Sequence, residues 1–95
     1  MRLLRLIVTV IALMALMPDM ASAAYDRIEI PLADIKLQAF TARPDGPGPF
    51  PAVVALHACD GLVDAAGALL PQYRAWGDRL VSLGYAVIFP DSFAS

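Results

Sequence analysis

Two stretches near the start of the folded region alternate apolar and polar residues with a period of two. In "DRIEIPL" (residues 26–32), Ile28, Ile30 and Leu32 face away from Arg27 and Glu29; in "IKLQAFTA" (residues 35–42), Ile35, Leu37 and Ala39 face away from Lys36 and Gln38. That period predicts half-buried strands. Only Ala33 and Asp34 separate them, so the economical arrangement is an antiparallel hairpin, although this pair is not a strong turn dipeptide.

The pattern then changes. "RPDGPGPFP" (residues 43–51) carries four prolines and two glycines, which neither a helix nor a central strand tolerates, so it reads as a loop leading to a new strand. "AVVAL" (residues 52–56) and "YAVIF" (residues 85–89) are short, continuously apolar and rich in β-branched or aromatic residues. Such runs suit strands buried on both faces of a parallel sheet. Between them, "LLPQYRAWGDRLVSLG" places Leu69, Tyr73, Trp76, Leu80 and Leu83 on one helical stripe, with Pro71 in the first turn and Gly84 as the stop. Tyr73 and Trp76 are expected to pack in the core, and Gly77 should cost the helix about 1 kcal/mol relative to alanine. Strand, helix and strand make a βαβ crossover.

A strand as apolar as "AVVAL" needs cover on both faces of its sheet, and one helix covers one face. A folded region of about 70 residues buries only about 60% of its unfolded surface, and the sequence offers no disulfide, metal site or second helical layer to compensate. Residues 24–95 are therefore expected to be the incomplete N-terminal part of a larger α/β domain, with "FPDSFAS" ending just after a strand.

The first 23 residues read as a secretory signal peptide. Arg2 and Arg5 give a positive start, "LIVTVIALMALM" (residues 6–17) is an apolar run short of the roughly 20 residues a spanning helix needs, and Pro18 breaks it. Ala21 and Ala23 fit the small-residue rule for cleavage after Ala23, with cleavage one residue later as the variant and an uncleaved anchor as the rival. The expected location is outside the cytoplasm, periplasmic or secreted, with membrane contact only through the uncleaved signal. From Ala24 onward, five basic residues face eight acidic ones, a net charge of −3 that excludes a nucleic-acid surface. The single cysteine, Cys59, cannot form an internal disulfide. In an oxidising compartment it calls for a partner cysteine beyond Ser95 or a buried free thiol.

Candidate chemistry concentrates in "HACDGL" (residues 57–62), directly after the first apolar strand, because ligands of α/β folds bind at the C-terminal ends of parallel strands. Together, "GPGPFPAVVALHACDGL" and "YRAWGDRLVSLGYAVIFPDSF" resemble the N-terminal half of the dienelactone hydrolase family of α/β-hydrolases. The resemblance implies hydrolysis of a carboxylic ester or lactone through an acyl-enzyme, with no cofactor or metal. A Cys or Ser on a later G-x-[CS]-x-G elbow, then an Asp and a His, would do the chemistry. None of those three motifs occurs here, so no catalytic residue is assigned and the chain alone is expected to lack esterase activity.

What carries over is one half of an oxyanion hole. The backbone N–H two residues after the loop histidine, that of Cys59, would face the developing negative charge, with the N–H of Ala58 as the second candidate. One such donor is worth about 3 to 4 kcal/mol of barrier. Ala58 and Asp60 stand where glycine-rich versions of the loop are commoner, which narrows the accessible φ.

Side-chain roles are weighed residue by residue. His57 has no elbow to serve as a base and reads as loop-shaping, together with Asp60, Gly61 and Asp91; a place on the pocket rim is the alternative for Asp91. Cys59 lies in a loop without the glycine spacing of a nucleophile elbow, and neither Ser82 nor Ser92 has that spacing. The rival to a hydrolase is a non-enzymatic exported module that pairs its strand edge with a partner chain, or the remnant of a decayed gene.

Overall fold

The computed structural model describes residues 2–7 and 23–94, of which residues 2–7 are helical. Most of the expected signal peptide, residues 8–22, lies outside the described residues. No helix among the described residues is long and apolar enough to cross a membrane.

Four strands form one sheet: β1 (Asp26–Leu32), β2 (Ile35–Ala42), β3 (Ala52–Val54) and β4 (Ala86–Pro90), in the order β1-β2-β4-β3. The two alternating stretches become β1 and β2, paired antiparallel from Asp26↔Thr41 to Leu32↔Ile35. Ala33 closes the two-residue turn at a φ of 45°, a conformation unusual for a residue with a Cβ. β4 pairs antiparallel with β2 and parallel with β3. Among the described strands the sheet is therefore mixed, not mainly parallel, because the hairpin brings two antiparallel pairings and the crossover only one parallel pairing.

The crossover helix, α1 (Pro71–Ser82), begins with Pro71 in its first turn. There a missing N–H costs nothing, because the first amides of a helix have no partner within it. It ends as the sequence predicts. Gly84 has a φ of 92°, its N–H reaches the Val81 carbonyl at 3.0 Å, and the Tyr85 N–H reaches the Leu80 carbonyl at 3.0 Å. These two bonds make the Schellman stop that a left-handed glycine permits. Between β3 and α1, Asp64 gathers its own loop, its carboxylate accepting the N–H groups of Ala66 and Ala68 at 2.9 and 3.0 Å. That turn delivers Leu62 and Leu69 into the core.

The core is small. Ala42, Leu62, Leu69, Val87 and Phe89 are its buried members, with Phe40, Ala55, Tyr73, Leu80 and Val81 packed against them. This cluster lies where α1 meets the sheet, and Ala39 of β2 is buried outside it. On β3 the other face shows: Val54 is 64% exposed and Leu56 72%. The burial on both faces expected for "AVVAL" is thus absent among the described residues, where one helix covers one face. β3 also stops at Val54 rather than Leu56, although the Ala55 N–H still reaches the Ile88 carbonyl at 2.9 Å.

The helix faces the sheet along a line shifted from the apolar stripe: Leu69, Tyr73 and Leu80 of the stripe pack in or against the core together with Val81, whereas Trp76 and Leu83 turn outward. Trp76 and Leu83 are 63% and 60% exposed, so the expectation of a core Trp76 is corrected, and Gly77 is the helix's fully buried residue. The reason is Tyr25, just ahead of β1. Its hydroxyl lies so close to Gly77 that a Cβ there would stand 2.3 Å from it. The single proton of that hydroxyl is shared between two acceptors, the Asp78 carboxylate at 2.8 Å and the Arg74 carbonyl at 2.9 Å, while the Arg74 guanidinium sits 4.7 Å above the ring. The absence of a side chain at residue 77 lets the N-terminal segment close over the helix.

Candidate functional site

The loop after β3 and the turn after β4 meet at the C-terminal ends of the two parallel strands. His57 links them. Its side chain is 4% exposed, its Nε2 accepts the Ser92 N–H at 3.0 Å, and its Nδ1 lies 2.8 Å from the Ala58 carbonyl. These partners select the neutral tautomer with the proton on Nδ1, since Nε2 must accept while Nδ1 donates. Phe93 meets the ring edge-on at 4.7 Å between centroids. With both ring nitrogens engaged, His57 is built into the loop and presents no free nitrogen as a base.

Asp91 is the buried charged residue of the described region, 5% exposed, directly after β4. Its carboxylate accepts the Phe93 N–H at 3.1 Å, its N–H donates to the Gln38 carbonyl at 2.8 Å, and Oδ1 stands 3.8 Å from His57 Nε2. The turn after β4 is therefore held by its own first residue on one side and by His57 on the other. Ser92 enters the site through its backbone.

The peptide between Ala58 and Cys59 is fixed in orientation. Its carbonyl accepts the Gly61 N–H at 3.0 Å as well as the His57 Nδ1–H at 2.8 Å. In a planar trans peptide the N–H points opposite to the C=O, so two donors on the oxygen set the direction of the Cys59 N–H. Among the described residues that N–H has no acceptor. Gly61 completes the turn at a φ of 86°, a left-handed conformation that favours glycine, with the Phe93 ring in van der Waals range.

Ala58 differs from its neighbour. Its N–H donates to the Tyr73 hydroxyl at 2.8 Å, and that hydroxyl in turn donates to Asp60 Oδ1 at 3.1 Å. Gln72 Nε2 holds the other carboxylate oxygen of Asp60 at 3.0 Å. Of the two candidate oxyanion donors, then, one is engaged and one is open. Tyr73 and Gln72 were not signalled as site residues by the sequence: Tyr73 falls on an apolar stripe and shows only its ring there. Thirteen residues separate Tyr73 from Asp60, too far for a local motif.

Among the described residues the Cys59 thiol is free and exposed. Ser82 bonds the Arg79 carbonyl at 2.6 Å on the far end of α1, remote from the loop in the chain and in the fold. No group of three or more His, Cys, Asp or Glu side chains among the described residues is placed to hold a metal ion.

No family model and no curated protein matches the chain. A solved structure does, that of a "Putative Dienelactone Hydrolase" from Klebsiella pneumoniae subsp. pneumoniae, with a TM-score of 0.59 and 25% sequence identity. The match covers 75% of this chain and 27% of that one, so the chain spans about a quarter of the length of the protein it resembles. The mixed α/β fold and its likeness to a dienelactone hydrolase, expected from the motifs, are thereby supported.

Proposed function

We propose that the chain is the N-terminal part of an exported carboxylic-ester or lactone hydrolase, and that its loop after β3 contributes the Cys59 N–H to an oxyanion hole. The observation that carries this reading is the Ala58–Cys59 peptide, whose carbonyl is bonded by His57 and Gly61 and whose N–H lacks an acceptor among the described residues. A fixed, unpaired donor at the C-terminal end of a parallel strand has the form such catalysis requires, because it needs no reorganisation when charge develops.

Two further observations support a larger domain. The outer edge of β3 is unpaired among the described strands, and Val54 and Leu56 lie bare beside it. A further parallel strand with its own helix would cover both. The nucleophile elbow, the acid and the base would come with that part of the domain, and the second oxyanion donor would be the N–H following the nucleophile.

The test uses a longer product carrying the elbow, assayed with a p-nitrophenyl ester. Cys59→Ser keeps the N–H and retains kcat, whereas Cys59→Pro removes the N–H and lowers kcat about 100- to 1000-fold with little change in KM. Equal activity of the two variants would refute the assignment of the donor.

A further inference from the structure

We infer that Tyr73 is a positioning residue for this loop: its hydroxyl takes up the Ala58 N–H and so leaves Cys59 as the open donor. The inference rests on the oxyanion reading of the loop but has its own physical basis. Two neighbouring amides, Ala58 and Cys59, compete for one role, and their side chains do not distinguish them. What distinguishes them is the phenol oxygen 2.8 Å from the Ala58 nitrogen.

The hydroxyl is not there by accident of packing. A phenol has one proton and accepts through its oxygen. Here the proton goes to Asp60 Oδ1 at 3.1 Å and the oxygen accepts from Ala58, so both capacities are used and the direction of each bond is fixed. Gln72, one residue earlier on α1, steadies the same carboxylate from its other oxygen. The ring below is packed against the core through Phe89, at 6.1 Å between centroids. α1 thus reaches the loop with a rigid arm anchored at one end in the core and at the other on Asp60.

Three of the four polar groups of the two peptides flanking Ala58 then have known states. The Ala58 N–H is bonded by Tyr73, the Ala58 carbonyl by Gly61 and His57, and the Cys59 N–H is open. His57 and Gly61 set the direction of the open donor; Tyr73 prevents the neighbouring amide from swinging into its place.

Amide hydrogen exchange on the full 95-residue chain, resolved by residue, tests this directly. In the parent protein Ala58 is expected to be protected and Cys59 to exchange at close to its unprotected rate. Tyr73→Phe keeps the ring and removes the hydroxyl; it should accelerate exchange at Ala58 by at least about 10-fold and leave Val87 and Phe89 in β4 within about twofold. Asp60→Asn, which keeps an acceptor for the phenol proton, should leave Ala58 within about threefold of the parent. Ala58 unprotected in the parent, or unchanged by Tyr73→Phe, would overturn the inference, as would equal acceleration of β4, since that would mark a general loss of packing. Protection at Cys59 in the parent would instead sink the donor assignment, so the two failures are separable.

Discussion

Replacing Gly77 by alanine opposes two effects of known size. In a helix interior alanine is favoured over glycine by about 1 kcal/mol, so the substitution alone should stabilise α1. The new Cβ, however, would stand 2.3 Å from the Tyr25 hydroxyl and 3.0 Å from two of its ring carbons. Tyr25 must move. Its bond to the Asp78 carboxylate, 2.8 Å, is of the charge-assisted kind worth about 1.5 to 3 kcal/mol, and its contact with the Arg74 carbonyl goes with it. The clash therefore exceeds the propensity gain, and Gly77→Ala should destabilise the fold by about 0.5 to 2 kcal/mol in urea denaturation followed by far-UV circular dichroism. The sign is the sharper test. In a Tyr25→Ala background nothing remains for the Cβ to strike, and the same substitution should become stabilising by roughly 1 kcal/mol. If Gly77→Ala is stabilising in both backgrounds, Tyr25 does not lie over Gly77, and the account of why Trp76 faces outward fails with it.

Tyr25 also makes a pH prediction. Burial, then the hydrogen bond and charge of Asp78, push its phenol well above the ordinary range of about 10. A group whose folded-state pKa is raised contributes stability that is complete below the unfolded value and is lost as pH rises toward the folded one; stability should fall from about pH 10 upward, and Tyr25→Phe should flatten that fall. Nitrogen-15 spectra of the imidazole at neutral pH should show the proton of His57 on Nδ1, and a proton on Nε2 would contradict the pairing with Ser92. His57→Ala, which strands the Ser92 N–H and leaves the Ala58 carbonyl with the Gly61 N–H alone, should cost about 1 to 3 kcal/mol in the same urea assay. The exposed Cys59 thiol should react with iodoacetamide in the folded chain without denaturant, and protection released only on unfolding would contradict its placement.

The hairpin was legible because a half-buried strand must alternate, and residues 26–32 and 35–42 are the observed strands to the residue. The helix stop was legible because Gly84 tolerates the left-handed turn that ends it. The inner face of α1 was legible in part: Leu69, Tyr73 and Leu80 pack inward as the stripe predicts, whereas Trp76 and Leu83 do not. An apolar stripe records which side chains avoid water on average, whereas the contact here is set by a missing side chain at residue 77 and a tyrosine hydroxyl more than 50 residues earlier. β3 follows the same logic of cover: "AVVAL" has the composition of a doubly covered strand, one helix was expected to cover one face, and Val54 and Leu56 are exposed among the described residues. At the site, the loop was found by its place after a strand and by its resemblance. The choice between Ala58 and Cys59 turned on hydrogen bonds to Tyr73, Gly61 and His57, contacts in which the long-range partner has no sequence signal.

The central claim is that "HACDG" is one half of an oxyanion hole whose other half lies beyond Ser95. The most direct measurement is to resequence the locus through the codon for Ser95 and translate several hundred nucleotides past it in all three frames. The account predicts an open frame that continues with G-x-[CS]-x-G, then an Asp and a His in that order. A confirmed stop after Ser95 with no such frame would contradict it, and the loop would then belong to a protein that does not catalyse ester hydrolysis.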